Sequence, residues 1–144
     1  MPVVHFHLVE GRTSAAQDAE LLRAASQFYA EVLEAPPERI RAFITAYPPG
    51  RCAVGGEIVG EHGAHAPLFE CIVLAGRPAE LRQRLLTGFT DLLERILGVP
   101  RGLIRGCCHQ IAPEDWAIGG VQASVLRAAE IDARAQVARV GGGR

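Results

Sequence analysis

The chain reads as two copies of one short unit, and that duplication limits its possible folds more than any other feature. Pro2-Val3-Val4 through Gly11-Arg12-Thr13 aligns with Pro67-Leu68-Phe69 through Gly76-Arg77-Pro78. Further on, Leu33-Glu34-Ala35-Pro36 through Ile40-Arg41 aligns with Leu97-Gly98-Val99-Pro100 through Ile104-Arg105. Pro49 matches Pro113, and Ala53-Val54-Gly55-Gly56 matches Ala117-Ile118-Gly119-Gly120. The period is too long, and the copies too few, for a solenoid. A duplicated small α/β unit fits better.

Each copy carries the same sequence of signals. Val4, Phe6 and Leu8 alternate within a β-branched run, which predicts a strand over 3–9. Ser14 and Gln17 have capping-box spacing, and Leu21, Ala25, Phe28 and Val32 recur at helical spacing. Pro36-Pro37 ends that helix, and residues 40–47 read as a second strand stopped by Pro48-Pro49-Gly50. In the second copy, residues 67–75 and 104–111 read as strands. Leu81, Leu85, Phe89, Leu92 and Ile96 stripe the helix between them, and Gly98 stops it. A strand–helix–strand crossover favours parallel pairing within each copy.

The expected fold is therefore α/β: two tandem β-α-β units forming one four-stranded sheet with both helices on one face. The expected division is 1–60, a linker over 61–66, a second unit over 67–120 and a tail over 121–144. Residues 121–140 read as one Ala/Arg-rich helix, and the Gly-rich end from 141 as disordered. The uncovered sheet face still carries apolar residues, so self-association is expected.

Composition narrows the partners. Net charge is -1, from 15 Lys+Arg against 16 Asp+Glu, and all fifteen cations are arginine. No basic run with interleaved aromatics predicts nucleic-acid binding. No apolar run reaches the length of a membrane span, and His5 and His7 interrupt the start, unlike a signal peptide. Cys52, Cys71, Cys107 and Cys108 make no CxxC pair, which suits buried thiols in a reducing cytoplasm. Cys107 and Cys108 should face opposite sides of their strand. His5 and His7 should share a face, but no third metal ligand matches them in the sequence, so no metal site is expected.

Pro2 is the candidate for the chemistry. Removal of Met1 would leave a secondary amine at the terminus, whereas the nitrogen of Pro67 is a non-basic tertiary amide. Pro2, Glu10-Gly11-Arg12-Thr13, Ala35-Pro36, Ile40-Arg41 and Val54-Gly55-Gly56 together resemble the 4-oxalocrotonate tautomerase family. The chain resembles a fused version of it, with residues 67–120 a diverged second unit. The resemblance implies a cofactor-independent isomerase of enol or dienol carboxylates. Pro2 would be the general base, and Arg12 and Arg41 would hold carboxylates and polarise the carbonyl. Arg77 and Arg105, their repeat partners, would assist in substrate binding. The family's single-unit members place an aromatic residue over the pocket. Cys52 stands at that position here, and Trp116 stands at its equivalent in the second copy, so the aromatic wall is expected from the second half. The expected assembly is a homotrimer mimicking the family hexamer.

Physical chemistry supports these roles independently. A free α-amine titrates at about 7.7–8.0 before perturbation, and an apolar pocket with nearby guanidiniums disfavours its protonated form. Arginine offers carboxylates a planar fork that keeps its charge. Two other readings stay open. A decarboxylase, hydratase or dehalogenase of the same superfamily would use Pro2 as an acid. Asp115-Trp116 is similar to an Asp-Trp pair in malonate semialdehyde decarboxylases, with Glu114 or Asp115 activating water. Arg77-Pro78 also echoes their arginine-bearing region, but Ala79 replaces its second arginine. A non-enzymatic oligomeric binding protein is the reading if Met1 is retained.

Overall fold

The structure is a computed structural model and describes residues 2–142; Met1, Gly143 and Arg144 lie outside the described residues. Four seven-residue strands form the sheet: β1 (Val3–Val9), β2 (Arg41–Tyr47), β5 (Leu68–Leu74) and β6 (Arg105–Ile111). Their order is β2-β1-β5-β6. Pairing is parallel within each unit, β1 with β2 and β5 with β6. The units join through an antiparallel β1–β5 ladder that sets Val3 opposite Ile72 and His5 opposite Glu70. This join reverses one unit relative to the other.

The two crossovers are helices α1 (Ala15–Leu33) and α2 (Ala79–Leu97). Ser14 and Gln17 form the capping box reciprocally, leaving two fewer unpaired donors at the start of α1. Gly98 closes α2 in the left-handed conformation, where glycine has no Cβ penalty. The core lies between these helices and the sheet. Val4, Phe6 and Leu8 of β1 meet Phe69, Cys71 and Val73 of β5, with Leu21, Ala25, Leu85, Phe89 and Leu93 above them. Tyr29, rather than its neighbour Phe28, takes the fully buried position on α1. Its hydroxyl donates to the Ile72 carbonyl. Phe28 instead packs edge-on against Phe89.

Each second strand leads through a 3₁₀ turn into a small hairpin. These are β3 (Ala53–Val54) with β4 (Glu57–Ile58), and β7 (Ala117–Ile118) with β8 (Val121–Gln122). Val121 and Gln122 thus complete a hairpin of the second unit, where the sequence reading began the terminal helix. That helix is also divided. Arg127, with φ -117°, separates α3 (Ala123–Leu126) from α4 (Ala128–Gly141). The disorder expected from residue 141 meets a helix end at Gly141 and a turn at Gly142, and its last two residues lie outside the described residues.

The sheet face without helices is less apolar than the sequence suggested. Phe43 and Leu68 are exposed on it, but its middle is a polar network. His7 Nε2 lies 2.7 Å from Glu70 Oε2, and His109 Nε2 lies 3.2 Å from Glu70 Oε1. These hydrogen bonds hold the Glu70 carboxyl below its ordinary range. Burial and then the neighbouring His7 hold His5 below the ordinary imidazole value. Cys107 joins this network while Cys108 packs against the core, so the two do face opposite sides.

Candidate active site

Reversal of one unit against the other brings the start of each half to the arginine turn of the other half. Pro2 is buried at the start of β1, and its carbonyl accepts from the Arg41 backbone N–H at 3.0 Å. Arg77 follows β5 and therefore arrives at this same end. Pro2 and Arg77 line one cavity of ≈ 40 Å³ together with Arg39, Arg127, Glu130 and Arg134. Four guanidiniums and one carboxylate thus surround Pro2. Burial first, and then the Arg134 guanidinium, push Arg77 below the ordinary arginine value.

Arg41 and Trp116 line a separate cleft of ≈ 210 Å³ at the same end of the sheet, with Val3 and the turn Ala117-Ile118-Gly119. Arg41 is held by its Nη1, which donates to the carbonyls of Glu38 at 2.9 Å and Ile40 at 3.1 Å. Trp116 reaches this cleft from the second unit, and its Nε1 is buried without a hydrogen-bond partner among the described residues. Pro2, Arg41, Arg77 and Trp116 accordingly occupy one end of the sheet.

The remaining three candidates occupy the other end. Arg12 follows the C-terminal end of β1, a seven-residue strand, so roughly 23 Å of extended chain separates it from Pro2. Its Nη2 donates to the carbonyls of Val59 at 3.0 Å and Gly63 at 3.3 Å, tying the β1 turn to the segment between the units. Arg105 repeats the Arg41 arrangement. Its N–H donates to the Pro67 carbonyl at 3.0 Å, and its Nη1 donates to the carbonyls of Gly102 and Ile104. Cys52 lines a third cavity, of ≈ 420 Å³, with Val59, Ala66 and Leu68. The structure therefore places Arg77, not Arg12, beside Pro2 within one chain.

Four residues at the Pro2 cavity escaped the sequence reading: Arg39, Arg127, Glu130 and Arg134. Arg39 holds Glu130 through two hydrogen bonds of 3.0 and 3.1 Å, which pins α4 to the first unit. That contact keeps the Glu130 carboxyl below its ordinary range. Two signals were present. Arg39 breaks the repeat, since its counterpart is Leu103, and Arg127, Glu130 and Arg134 have the spacing of one helical face.

Two β-α-β units with a proline heading each half define a class of small tandem α/β proteins. A family profile described as "Tautomerase enzyme" matches residues 2–62 and again 67–125. The chain belongs to the tautomerase family and is a tautomerase-like enzyme. It is 40% identical over 57 residues to a 2-hydroxymuconate tautomerase of Pseudomonas sp. (strain CF600), covering 40% of this chain and 89% of that one. A 2-hydroxymuconate tautomerase of Pseudomonas putida is 39% identical over the same length and shares. Among solved structures, a native fused 4-OT superposes with TM-score 0.81 at 25% identity, over 87% of this chain and 98% of that chain. A fused 4-OT described as a symmetric trimer superposes with TM-score 0.78 at 25% identity, over 86% and 98%. The family match ends at residue 125, before α4 begins.

Proposed function

We propose that the protein is a cofactor-independent tautomerase of enol or dienol carboxylates, with the Pro2 amine as general base once Met1 is removed. The observation that carries this reading is the gathering of Pro2, Arg77, Arg41 and Trp116 at one end of the sheet from both halves of the repeat. Surrounding guanidiniums disfavour a further positive charge, which favours the neutral amine that a base requires. The amine takes the proton from the enol oxygen and returns it to carbon, leaving a ketone. Arg77 holds a carboxylate near the amine, and Arg41 stabilises the oxygen that gains negative charge. Arg127 and Arg134 add cations above the same cavity, so a dicarboxylate such as 2-hydroxymuconate is the substrate class that fits. Trp116 supplies an apolar wall and one shielded N–H donor. Arg12, Arg105 and Cys52 form the corresponding set at the Pro67 end, where the amide nitrogen cannot act as a base.

The proposed assembly is a homotrimer. The neighbouring fused 4-OT structure described as a trimer supports it, as do Phe43 and Leu68 on the open face. The deciding experiment pairs the intact mass, to establish Met1 removal, with the pH dependence of 2-hydroxymuconate turnover. Activity rising as an amine deprotonates supports the base. Activity falling as that group deprotonates makes Pro2 an acid and favours the decarboxylase or hydratase reading. Asp115, exposed beside Trp116, would then be tested as the water activator.

A further inference from the structure

His5 and His7 had no third partner in the sequence; the β1–β5 ladder supplies one. The register sets Glu70 opposite His5, and the β5–β6 ladder sets Cys107 opposite Glu70. All these side chains stand on the helix-free face, together with His109. One donor atom each from His5, His7 and Glu70 lies within 4.8 Å of the others, and so does one each from Glu70, Cys107 and His109. Glu70 belongs to both groups, one oxygen toward His7 and the other toward His109.

We propose that His5, His7 and Glu70 bind one divalent ion of the zinc class, with His109 steadying the far oxygen of Glu70. Two imidazoles and one carboxylate are ligands that zinc accepts, with a fourth position left for water or a further side chain. Bond lengths of about 2.0–2.2 Å put tetrahedral ligands roughly 3.3–3.6 Å apart. The 2.7 Å contact between His7 Nε2 and Glu70 needs to open by only about 0.6–0.9 Å to admit an ion. Outer contacts are already in place. His7 Nδ1 is 2.6 Å from the Tyr47 hydroxyl, which leaves Nε2 facing Glu70. His5 Nε2 is 2.6 Å from Thr45 Oγ1, which leaves Nδ1 to bind. Metal-bound histidines commonly have their second nitrogen held in this way. The rings are also stacked with centroids 4.2 Å apart. The site lies in the middle of the sheet and does not include Pro2 or any arginine of its cavity.

The test is titration of the metal-free full chain with Zn²⁺ by calorimetry at neutral pH, with Co²⁺ as a spectroscopic probe. One ion per chain is expected, with a Co²⁺ absorption of low-coordinate N/O type lacking a strong thiolate charge-transfer band. Glu70→Gln and His5→Gln should each weaken binding tenfold or more, while Cys107→Ser retains it. Circular dichroism of each metal-free variant checks folding. If one variant does not fold, the other decides, and Zn²⁺ should raise the Tm of the wild type but not of the folded variant. Absence of saturable binding overturns the proposal. So does binding undiminished in a folded His5→Gln or Glu70→Gln chain, or binding lost only with Cys107→Ser.

Discussion

Pro2 and Arg77 line the same cavity although they come from different copies of the repeat. Their meeting depends on the antiparallel β1–β5 ladder, which lays the end of β5 beside the start of β1. A parallel join would have left each proline with the arginine of neither half. The ladder therefore builds a site that neither unit holds alone, and its two ends make separable demands on mutation.

Pro2→Ala should lower kcat/KM for 2-hydroxymuconate by a hundredfold or more, since a primary amine has different geometry and basicity. Pro67→Ala should leave kcat/KM within a few-fold and act on stability or assembly, because its nitrogen is an amide. Steady-state kinetics with sedimentation of both variants checks this. Comparable catalytic losses with intact assembly would remove the asymmetry.

The two glycine-arginine turns should separate in the same way. Arg77→Ala should raise KM for dicarboxylates, at a cost of about 1.5–3 kcal/mol for the lost charged contact to the substrate carboxylate. Arg12→Ala should lower folding stability by about 1–2 kcal/mol through its two lost carbonyl contacts. Kinetics and denaturant melts on both variants distinguish the roles.

Deletion of residues 128–144 removes Glu130 and Arg134 from the Pro2 cavity and makes no cut in the core, since no residue of α4 is buried. The expected result is a nearly unchanged Tm with KM for dicarboxylates raised several-fold. Monocarboxylate substrates should be less affected. An unchanged KM for both classes would show that α4 has no part in binding.

Tyr29 should give the protein a distinct alkaline limit. Burial pushes its hydroxyl well above the ordinary tyrosine value. Below pH about 10 the folded and unfolded chains both keep this proton, and the group adds no pH dependence. Above that pH the unfolded chain releases it while the folded chain retains it. Stability should then fall by about 1.4 kcal/mol per pH unit. Tyr29→Phe should lack this component while losing about 1 kcal/mol near neutrality for its hydrogen bond to Ile72. Denaturant melts of both proteins from about two pH units below to about one above the ordinary tyrosine value test the difference.

Much of the architecture was legible because it rests on local periodicity. The apolar stripe from Leu85 to Ile96 and the alternation of Val4, Phe6 and Leu8 correspond to buried faces in the structure, with Leu81 partly buried beside them. The site was less legible because it depends on the direction in which the halves join. Nothing local in 2–13 or 67–78 states that β1 and β5 run antiparallel, so Arg12 and Arg77 could not be told apart as partners of Pro2. The missing third ligand for His5 and His7 has the same origin. Glu70 is adjacent through strand register and is 63 residues from His7 in sequence. The break at Arg127 lacked any Gly or Pro to announce it.

Trp116 and Cys52 hold equivalent positions at opposite ends of the sheet. In an assembly of identical single units, a substitution at this position would appear beside every proline at once. Covalent joining separates the two inheritances: an aromatic wall can be kept at the proposed Pro2 site while its counterpart at the Pro67 end drifts to a thiol. The fused chain can therefore change its substrate preference one end at a time, keeping the opposite end free to serve cohesion alone.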